Sequence, residues 1–274
     1  MSLQRHGTVH YDRMASDKTL TRTLAYYMDL IVHFVKRNFV LRYKGSALGI
    51  LWSVLPPLAH LLILVFVFGK VIPLRIEAYP AYVFTSILPW TWFSSSVSGA
   101  GGIFTGNRDL LRRPNFAPSV LIIVETLLNL LNYLILIPVL IVTLTIYNRE
   151  ITWYILFFPL LILIQCILII GLSLFIATLN VFYRDVQHMA GLAVMLLFYV
   201  TPIFYQTQAI GEKYRILYKL NPVAALIQGY QAVLFHGKPP DMGPLLIAGM
   251  SSIVICIAGY IIYQRQLHNI FDTV

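Results

Sequence analysis

Long apolar runs alternate with short polar segments along most of the chain. A charge-free apolar run of about 20 residues is long enough to cross the hydrocarbon core of a membrane as a helix. The runs predict spans at approximately 49–69, 79–103, 121–146, 152–178, 189–205 and 243–263. The pattern therefore predicts an all-α integral membrane protein with six transmembrane helices, all within a transmembrane domain at 46–274.

A seventh charge-free stretch, 220–237, is weaker because it contains Asn221, Pro222, Gln228, Gly229, Gln231 and His236. Polar backbone at membrane depth is tolerated only where protein or a watery cavity covers it. The stretch therefore predicts a broken, re-entrant hairpin at approximately 212–236, on the external side before the last span, rather than a span.

The N-terminal segment 1–23 is polar, has no apolar core of a signal peptide, and predicts a cytoplasmic tail. Residues 24–45 predict an amphipathic helix, since Asp29, His33, Lys36 and Arg37 recur at helical spacing on one face. Such a helix lies in the membrane interface. The pattern leaves open whether it is a simple anchor or a docking surface for a cytoplasmic partner.

Composition supports a membrane protein. Hydrophobic residues make up 58% of the 274 residues and charged residues only 11%, which excludes a soluble enzyme, a disordered chain and a coiled coil. The net charge of +9 is concentrated beside the spans, so it indicates orientation rather than nucleic-acid binding. With six spans, 13 of the 20 Lys and Arg residues lie on the side of both termini, which predicts that both termini are cytoplasmic.

The loop between the second and third spans is basic. Gly106 and Asn107 are suited to starting a short helix, and Arg108, Asp109, Arg112 and Arg113 follow. A short charged helix outside the membrane is a natural contact for a soluble subunit. The alternative is that these charges only orient the chain.

Polar residues within the third span share one helical face, namely Glu125, Asn129 and Asn132. A carboxylate in an apolar span faces the bundle interior or water. This face predicts either part of a hydrophilic route or gate, or a hydrogen bond between helices near the cytoplasmic boundary.

Aromatic residues cluster at two places that an interfacial belt does not explain. Trp90, Trp92 and Phe93 follow Pro89 within the second span, and Tyr199, Phe204 and Tyr205 surround Pro202 at the outer end of the fifth. Aromatic faces suit the apolar C–H surfaces of sugar rings, so these residues are candidates for guiding a glycan. Core packing is the alternative for each of them, and it is the favoured role for His60 in the first span.

The chain carries no phosphate-binding loop and no H-E-x-x-H, C-x-x-C or G-x-S-x-G motif. Glu125 is the one carboxylate within the predicted spans, so a proton relay is disfavoured. We therefore expect no bound cofactor or metal, no catalytic residue, and an energy source outside this chain.

Several motifs resemble those of the ABC-2 type permeases, in the branch that exports O-antigen or teichoic-acid chains attached to a polyprenyl lipid. They are the run from Arg42 to Trp52 followed by Pro56-Pro57, the run Phe182–Val186, the run Thr201–Tyr205, Asn221-Pro222, and Gln228-Gly229-Tyr230. The resemblance covers nearly the whole chain, and the first motif is the most specific.

The resemblance implies a homodimer in the cytoplasmic (inner) membrane in which each copy docks one ATP-binding cassette subunit that holds ATP and Mg. The implied docking residues are Lys36, Arg37, Arg42, Arg108, Asp109, Arg112, Arg113, Arg184 and Asp185. The resemblance also implies that the first and fifth spans of both copies line the path. With the aromatic candidates of the second span, the candidate path or gate residues are Trp52, His60, Trp90, Trp92, Phe93, Tyr199, Phe204, Tyr205, Asn221 and Pro222.

Other functions remain open at this stage. Within transport, they are a teichoic-acid or capsular polysaccharide exporter and a drug or small-lipid exporter. Outside transport, they are an enzyme acting on polyprenyl phosphates, which the few acidic residues disfavour, and a structural assembly factor. The identity of the glycan does not follow from the sequence.

Overall fold

The computed structural model describes residues 6–113, 116–207 and 221–273, and every regular element in these ranges is helical. This confirms the all-α class. The helices are α1 His6–Tyr43, α2 Leu51–Phe66, α3 Tyr79–Gly99, α4 Gly102–Gly106, α5 Arg108–Leu111, α6 Ser119–Ile146, α7 Phe158–Phe182, α8 Asp185–Val200, α9 Pro222–Tyr230 and α10 Met242–Thr273.

Three short turns of other helical types extend these elements. The π-helical turn Val67–Val71 continues α2, and the π-helical turn Gln231–Phe235 continues α9. A 3-10 turn at Trp153–Phe157 leads into α7. Below, α9 with its π-helical turn, Pro222–Phe235, is called the hairpin helix; the first part of the expected hairpin, 212–220, lies outside the described residues.

The chain divides into two compact units, one up to Gly45 and one from Ser46 onward. The first unit contains α1, which includes most of the amphipathic segment 24–45 and begins within the segment 1–23. The chain leaves this helix through Gly45, which has φ +78°. A left-handed residue just past a helix end is the usual place for glycine, because a side chain there is strained.

Within the described residues, four helical stretches are long and apolar enough to cross a membrane: Leu51–Val71, Ser119–Ile146, Trp153–Phe182 and Met242–Phe271. They correspond to the first, third, fourth and sixth predicted spans. The fifth corresponds to α8, a shorter apolar helix of 16 residues. The second corresponds to α3, which has 21 residues but is not among the four stretches that are long and apolar enough to cross a membrane.

Burial explains why α3 carries more polar residues than its neighbours. Tyr82, Phe84 and Ile87 are almost wholly buried in the main core. The hydroxyls of Thr85 and Ser86 donate to carbonyls one turn earlier in the same helix. Each buried hydroxyl thereby has an acceptor, so the helix can be enclosed by other helices without leaving these groups unsatisfied.

The close approach of α7 and α10 depends on two glycines. A methyl group added at Gly171 would lie 2.5 Å from Cα of Cys256, and one added at Gly259 would overlap the carbonyl oxygen of Gly171. Small residues at such a crossing let the backbones of two membrane helices touch.

The second unit has two ends that side-chain contacts define. At the hairpin end, Arg149 pairs with Glu77 at 3.3 Å and lies over the Phe235 ring. At the basic end, Asn180 of α7 donates to the Gly101 carbonyl beside α4, and the Tyr263 hydroxyl accepts from the backbone N–H of Ser119. The successive long helices run from one end to the other.

Candidate functional site

The basic loop is anchored by one buried side chain and exposes its charges. Leu111 is buried in a small core cluster that includes Phe104, Leu121 and Tyr263. Around that anchor the side chains of Arg108, Asp109, Arg112 and Arg113 are all exposed. The predicted short helix is present as the single turn Arg108–Leu111 after α4. A fixed backbone with outward charges is suited to contact a soluble protein.

A second charged turn lies beside this loop. Arg184 and Asp185 are exposed where α7 passes into α8, and Asp185 lies in the first turn of α8. An acidic residue at a helix N-terminus is stabilised by the helix dipole. The sequence expectation of a second contact at this turn stays a prediction.

Asn180 joins the two charged segments, a role that the sequence pattern does not indicate. This side chain is 3% exposed. Its Nδ2 donates to the carbonyl oxygen of Gly101 beside α4 at 2.8 Å, and its Oδ1 accepts from the backbone N–H of Gln187 in α8 at 3.0 Å. One buried amide therefore holds α4, α7 and α8 in a fixed arrangement at the basic end.

We expect Asn180→Ala to lower the free energy of unfolding by about 2–3 kcal/mol, because the Gly101 carbonyl and the Gln187 N–H both lose a buried partner. Asn107→Ala is the matched control. It removes an amide–carbonyl bond of the same 2.8 Å length, from Asn107 Nδ2 to the Ile103 carbonyl one turn earlier, and joins no separate elements. Thermal unfolding followed by tryptophan fluorescence measures both variants, and equal losses would contradict the bridging role.

The first unit carries the remaining predicted docking residues. Lys36 and Arg37 are exposed on α1, and the Arg37 guanidinium lies 5.7 Å from the centre of the Phe34 ring. Arg42 lies in the last turn of the same helix.

An aromatic stack joins three helices and the segment after α8. The ring of His60 in α2 stacks on Phe198 in α8 at 5.8 Å, and Phe198 stacks on Phe204 at 5.7 Å. Phe204 then stacks on Phe68 at 5.0 Å, and Trp90 of α3 meets Phe198 edge to face. These five residues are called the aromatic seam below. Phe68 and Phe198 were not among the predicted residues, because a pattern along one helix does not show which ring faces it from another.

The other predicted aromatic residues differ in exposure. Trp52 and Tyr199 are 58% and 62% exposed, while Trp92 is 2% exposed. Trp92 stacks on Tyr133 and donates its indole N–H to the Thr126 carbonyl. Phe93 is also buried in the core. In this structure Trp92 and Phe93 pack between helices, and a role along a path stays a prediction for them.

The hairpin helix is held by polar contacts at its start and along one side. Asn221 caps it, since its Oδ1 accepts from the backbone N–H groups of Val223 and Ala224, and Pro222 occupies the first turn. The buried Gln231 donates to the Ser86 hydroxyl and to the Pro202 carbonyl, both at 2.8 Å. These bonds fix the helix against α3 and the segment 201–205.

Two tyrosines of α3 also hold the segment 201–205. The Tyr79 hydroxyl donates to the Phe204 carbonyl at 3.1 Å, and the Tyr82 hydroxyl donates to the Tyr205 carbonyl at 2.8 Å. The Tyr205 hydroxyl donates to the Tyr199 carbonyl. The residues around Pro202 are therefore fixed by α3, by α8 and by the hairpin helix.

The polar face of α6 forms hydrogen bonds that fit helix packing. Asn129 Nδ2 lies 3.2 Å from the Ser96 hydroxyl of α3 and 3.4 Å from a Glu125 carboxylate oxygen. Glu125 and Asn129 lie in the first half of α6, which is nearest the basic end. The interhelical bond expected from the sequence is present, and Asn132 lies on the same helix, half-buried. Among the residues that the structure describes, no group of three or more His, Cys, Asp or Glu could hold a metal ion.

Known proteins are similar to this chain over most of its length. The profile of the family described as ABC-2 type transporter matches residues 29–235. An O-antigen export system permease protein RfbA of Myxococcus xanthus is 32% identical over 93% of this chain and 99% of its own length. One of the same name from Klebsiella pneumoniae is 32% identical over 88% and 93%. A polysialic acid transport protein KpsM of Escherichia coli is 24% identical over 84% and 90%.

Proposed function

The chain belongs to the ABC-2 type transporter family, and we propose that it is the channel-forming subunit of an ATP-driven exporter of lipid-linked polysaccharide. The observation that carries this proposal is the similarity to O-antigen export permeases along almost the entire chain. The similar region includes both the exposed basic loops and the aromatic seam, so the proposal does not rest on a single motif.

We propose that six helices, namely α2, α3, α6, α7, α8 and α10, cross the cytoplasmic (inner) membrane, with both termini in the cytoplasm. The buried position of α3 supports its inclusion, since neighbouring helices rather than lipid cover its polar groups. At about 1.5 Å per residue α8 is shorter than the hydrocarbon core, and the fixed segment 201–205 continues it toward the hairpin end. The hairpin end is then external and the basic end cytoplasmic, as the excess of Lys and Arg indicates.

The energy source in this proposal is a separate ATP-binding cassette subunit, which binds ATP and Mg. One surface of this chain that contacts the cassette subunit consists of Arg108, Asp109, Arg112, Arg113, Arg184 and Asp185. A second contact surface consists of Lys36, Arg37 and Arg42. Because Asn180 joins α4 to α8, a displacement of the basic loop or of the turn between α7 and α8 moves both. Nucleotide binding would thereby favour one of two arrangements of rigid helices, and the chain itself makes and breaks no covalent bond.

The path in this proposal runs beside the aromatic seam, between α2 and α8 of two copies in a homodimer. Trp52 and Tyr199 present large exposed rings on these two helices. Aromatic faces interact with sugar C–H surfaces without fixing one orientation, which suits a polymer that must slide. The hairpin helix and the segment 201–205 would form the external gate.

We expect Phe198→Ala to slow glycan export by about three- to tenfold, because it removes the ring that joins His60, Trp90 and Phe204. Phe175→Ala on α7 is the control, since that ring is exposed and lies on neither α2 nor α8. Export is measured as the rate at which new polysaccharide appears at the cell surface, normalised to the amount of permease in the membrane. An equal rate in both variants would assign Phe198 to packing alone.

The function is tested by deleting the gene and purifying the tagged chain from its host. The proposal expects a cassette ATPase to copurify and lipid-linked glycan to accumulate inside the deletion strain. Analysis of that glycan distinguishes O-antigen from teichoic-acid or capsular export. Normal surface glycan with increased drug sensitivity would favour a drug or lipid exporter, and activity of the isolated chain without an ATPase would overturn the proposal.

A further inference from the structure

A cavity of about 340 Å³ lies at the hairpin end, apart from the aromatic seam. Its walls come from the hairpin helix, from the loop that follows it and from the start of α10. Four polar side chains line it, namely Gln228, His236, Lys238 and Asp241, together with small apolar residues such as Ala225 and Ala232. Its volume is at the low end of the range of small-molecule sites, which is about 300–1,000 Å³, so it suits one small ligand.

The loop that carries three of these side chains is fixed before any ligand arrives. The backbone N–H of Lys238 donates to the Ala232 carbonyl at 2.9 Å, and the Thr152 hydroxyl donates to the Gly237 carbonyl. Gly237 has φ +58°, and a methyl group there would lie 2.9 Å from Thr152 Cγ2, so the turn requires glycine. A cavity with fixed walls loses little entropy when it binds.

Asp241 is fixed in the same way. One of its carboxylate oxygens accepts from the backbone N–H of Gly243 at 3.1 Å, which caps α10. A carboxylate accepts about four hydrogen bonds, so this cap leaves capacity for a ligand on a side chain whose position is already set.

The charges of the lining balance. Lys238 is positive and Asp241 negative. Burial, and then the nearby cations Lys238 and Arg149, lower the pKa of His236, so its imidazole is neutral at pH 7. A lining without net charge does not select an anion. Lys238 offers hydrogen-bond donors, Asp241 offers acceptors, and Gln228 and His236 offer both. This mixture matches ligand groups that both donate and accept hydrogen bonds.

We propose that this cavity is a saccharide subsite in which Gln228, His236, Lys238 and Asp241 hydrogen-bond the hydroxyl groups of one uncharged sugar residue of the exported chain. The small apolar residues of the wall then face the C–H surface of the ring. The inference rests on the proposed function, because the sugar reaches the hairpin end only as the polymer leaves the path. A sugar held there contacts the hairpin helix and α10 together, and so favours one position of the external gate.

The test uses the full-length chain purified in detergent. The probes are oligosaccharides released by mild acid from the host's own surface polysaccharide and, in a separate arm, inorganic phosphate. Oligosaccharide binding is followed by saturation-transfer NMR, and phosphate binding by isothermal titration calorimetry. We expect the oligosaccharides to bind, and Gln228→Leu and Asp241→Asn each to weaken that binding about tenfold. Asp241→Asn keeps the helix cap, since asparagine caps as well as aspartate.

Lys70→Gln is the matched control for Lys238→Gln, because Lys70 is an exposed lysine outside the cavity. Thermal unfolding of every variant checks that the fold is intact. Absence of oligosaccharide binding, or binding that Gln228→Leu and Asp241→Asn leave unchanged, overturns the subsite. Binding of phosphate without binding of the oligosaccharides, where Lys238→Gln abolishes the phosphate binding, also overturns the subsite, because the cavity is then an anion site. Failure of the subsite while deletion still stops export leaves the proposed function intact, so the two are distinguishable.

Discussion

Gly171→Ala and Gly259→Ala are each expected to lower the free energy of unfolding of this protein by about 2–4 kcal/mol. At Gly171 the added methyl group meets the backbone of Cys256 at 2.5 Å, and at Gly259 it meets the Gly171 carbonyl. A backbone cannot rotate away as a flexible side chain can, so α7 and α10 must move apart. Both helices are long and apolar enough to cross a membrane, and separating them loses packing along their length.

The measurement is thermal unfolding in detergent, with an expected decrease of roughly 10 °C in the unfolding temperature for each variant. Gly249→Ala provides the control on the same pair of helices, because its methyl group would lie 3.9 Å from Ile164 Cδ1, an ordinary contact. Alanine favours a helix over glycine by about 1 kcal/mol, so Gly249→Ala should be neutral or slightly stabilising. A Gly171→Ala protein as stable as Gly249→Ala would show that the crossing is not tight.

The sequence predicts the helices of this fold better than it predicts which helices pack against each other. Apolar run length alone locates α6, α7 and α10, because lipid imposes a minimum length on every span. Asn221-Pro222 marks the start of the hairpin helix, because a capping side chain and a proline at the first turn act locally. These signals involve neighbours in the chain, so they can be read without knowing the fold.

Contacts between helices do not follow from the same signals. Asn180 lies in an apolar run like many other polar residues, and only the structure shows that its amide meets both Gly101 and Gln187. Phe198 is one of 16 phenylalanines, and its stacking depends on which faces of α2, α3 and α8 meet. Trp92 is a path candidate from its place in the aromatic cluster after Pro89, and only the structure shows that its indole N–H donates to a carbonyl of α6. Periodicity shows which face of a helix is apolar, but it does not show which other helix packs against that face.

Reversing Arg112 and Arg113 together to Glu is expected to reduce export by at least about tenfold while the permease remains in the membrane. Both side chains are exposed beside the anchored Leu111, so the fold does not depend on burying them. In the proposed function they contact the cassette ATPase, and reversal replaces attraction with repulsion at that contact. Copurification of the ATPase and ATP-dependent export should therefore be lost together.

Lys70→Glu with Arg75→Glu makes the same change in net charge at two other exposed residues, near the hairpin end. Loss of export in both double variants would attribute the effect to total charge or to membrane orientation, which also depends on Lys and Arg. Loss only in the Arg112 and Arg113 variant, with an unchanged unfolding temperature, assigns these residues to docking. Because exposed charge contacts weaken as ionic strength rises, the wild-type complex should also dissociate more readily in high salt. A complex that survives both the reversal and high salt would require the ATPase to bind elsewhere on the chain.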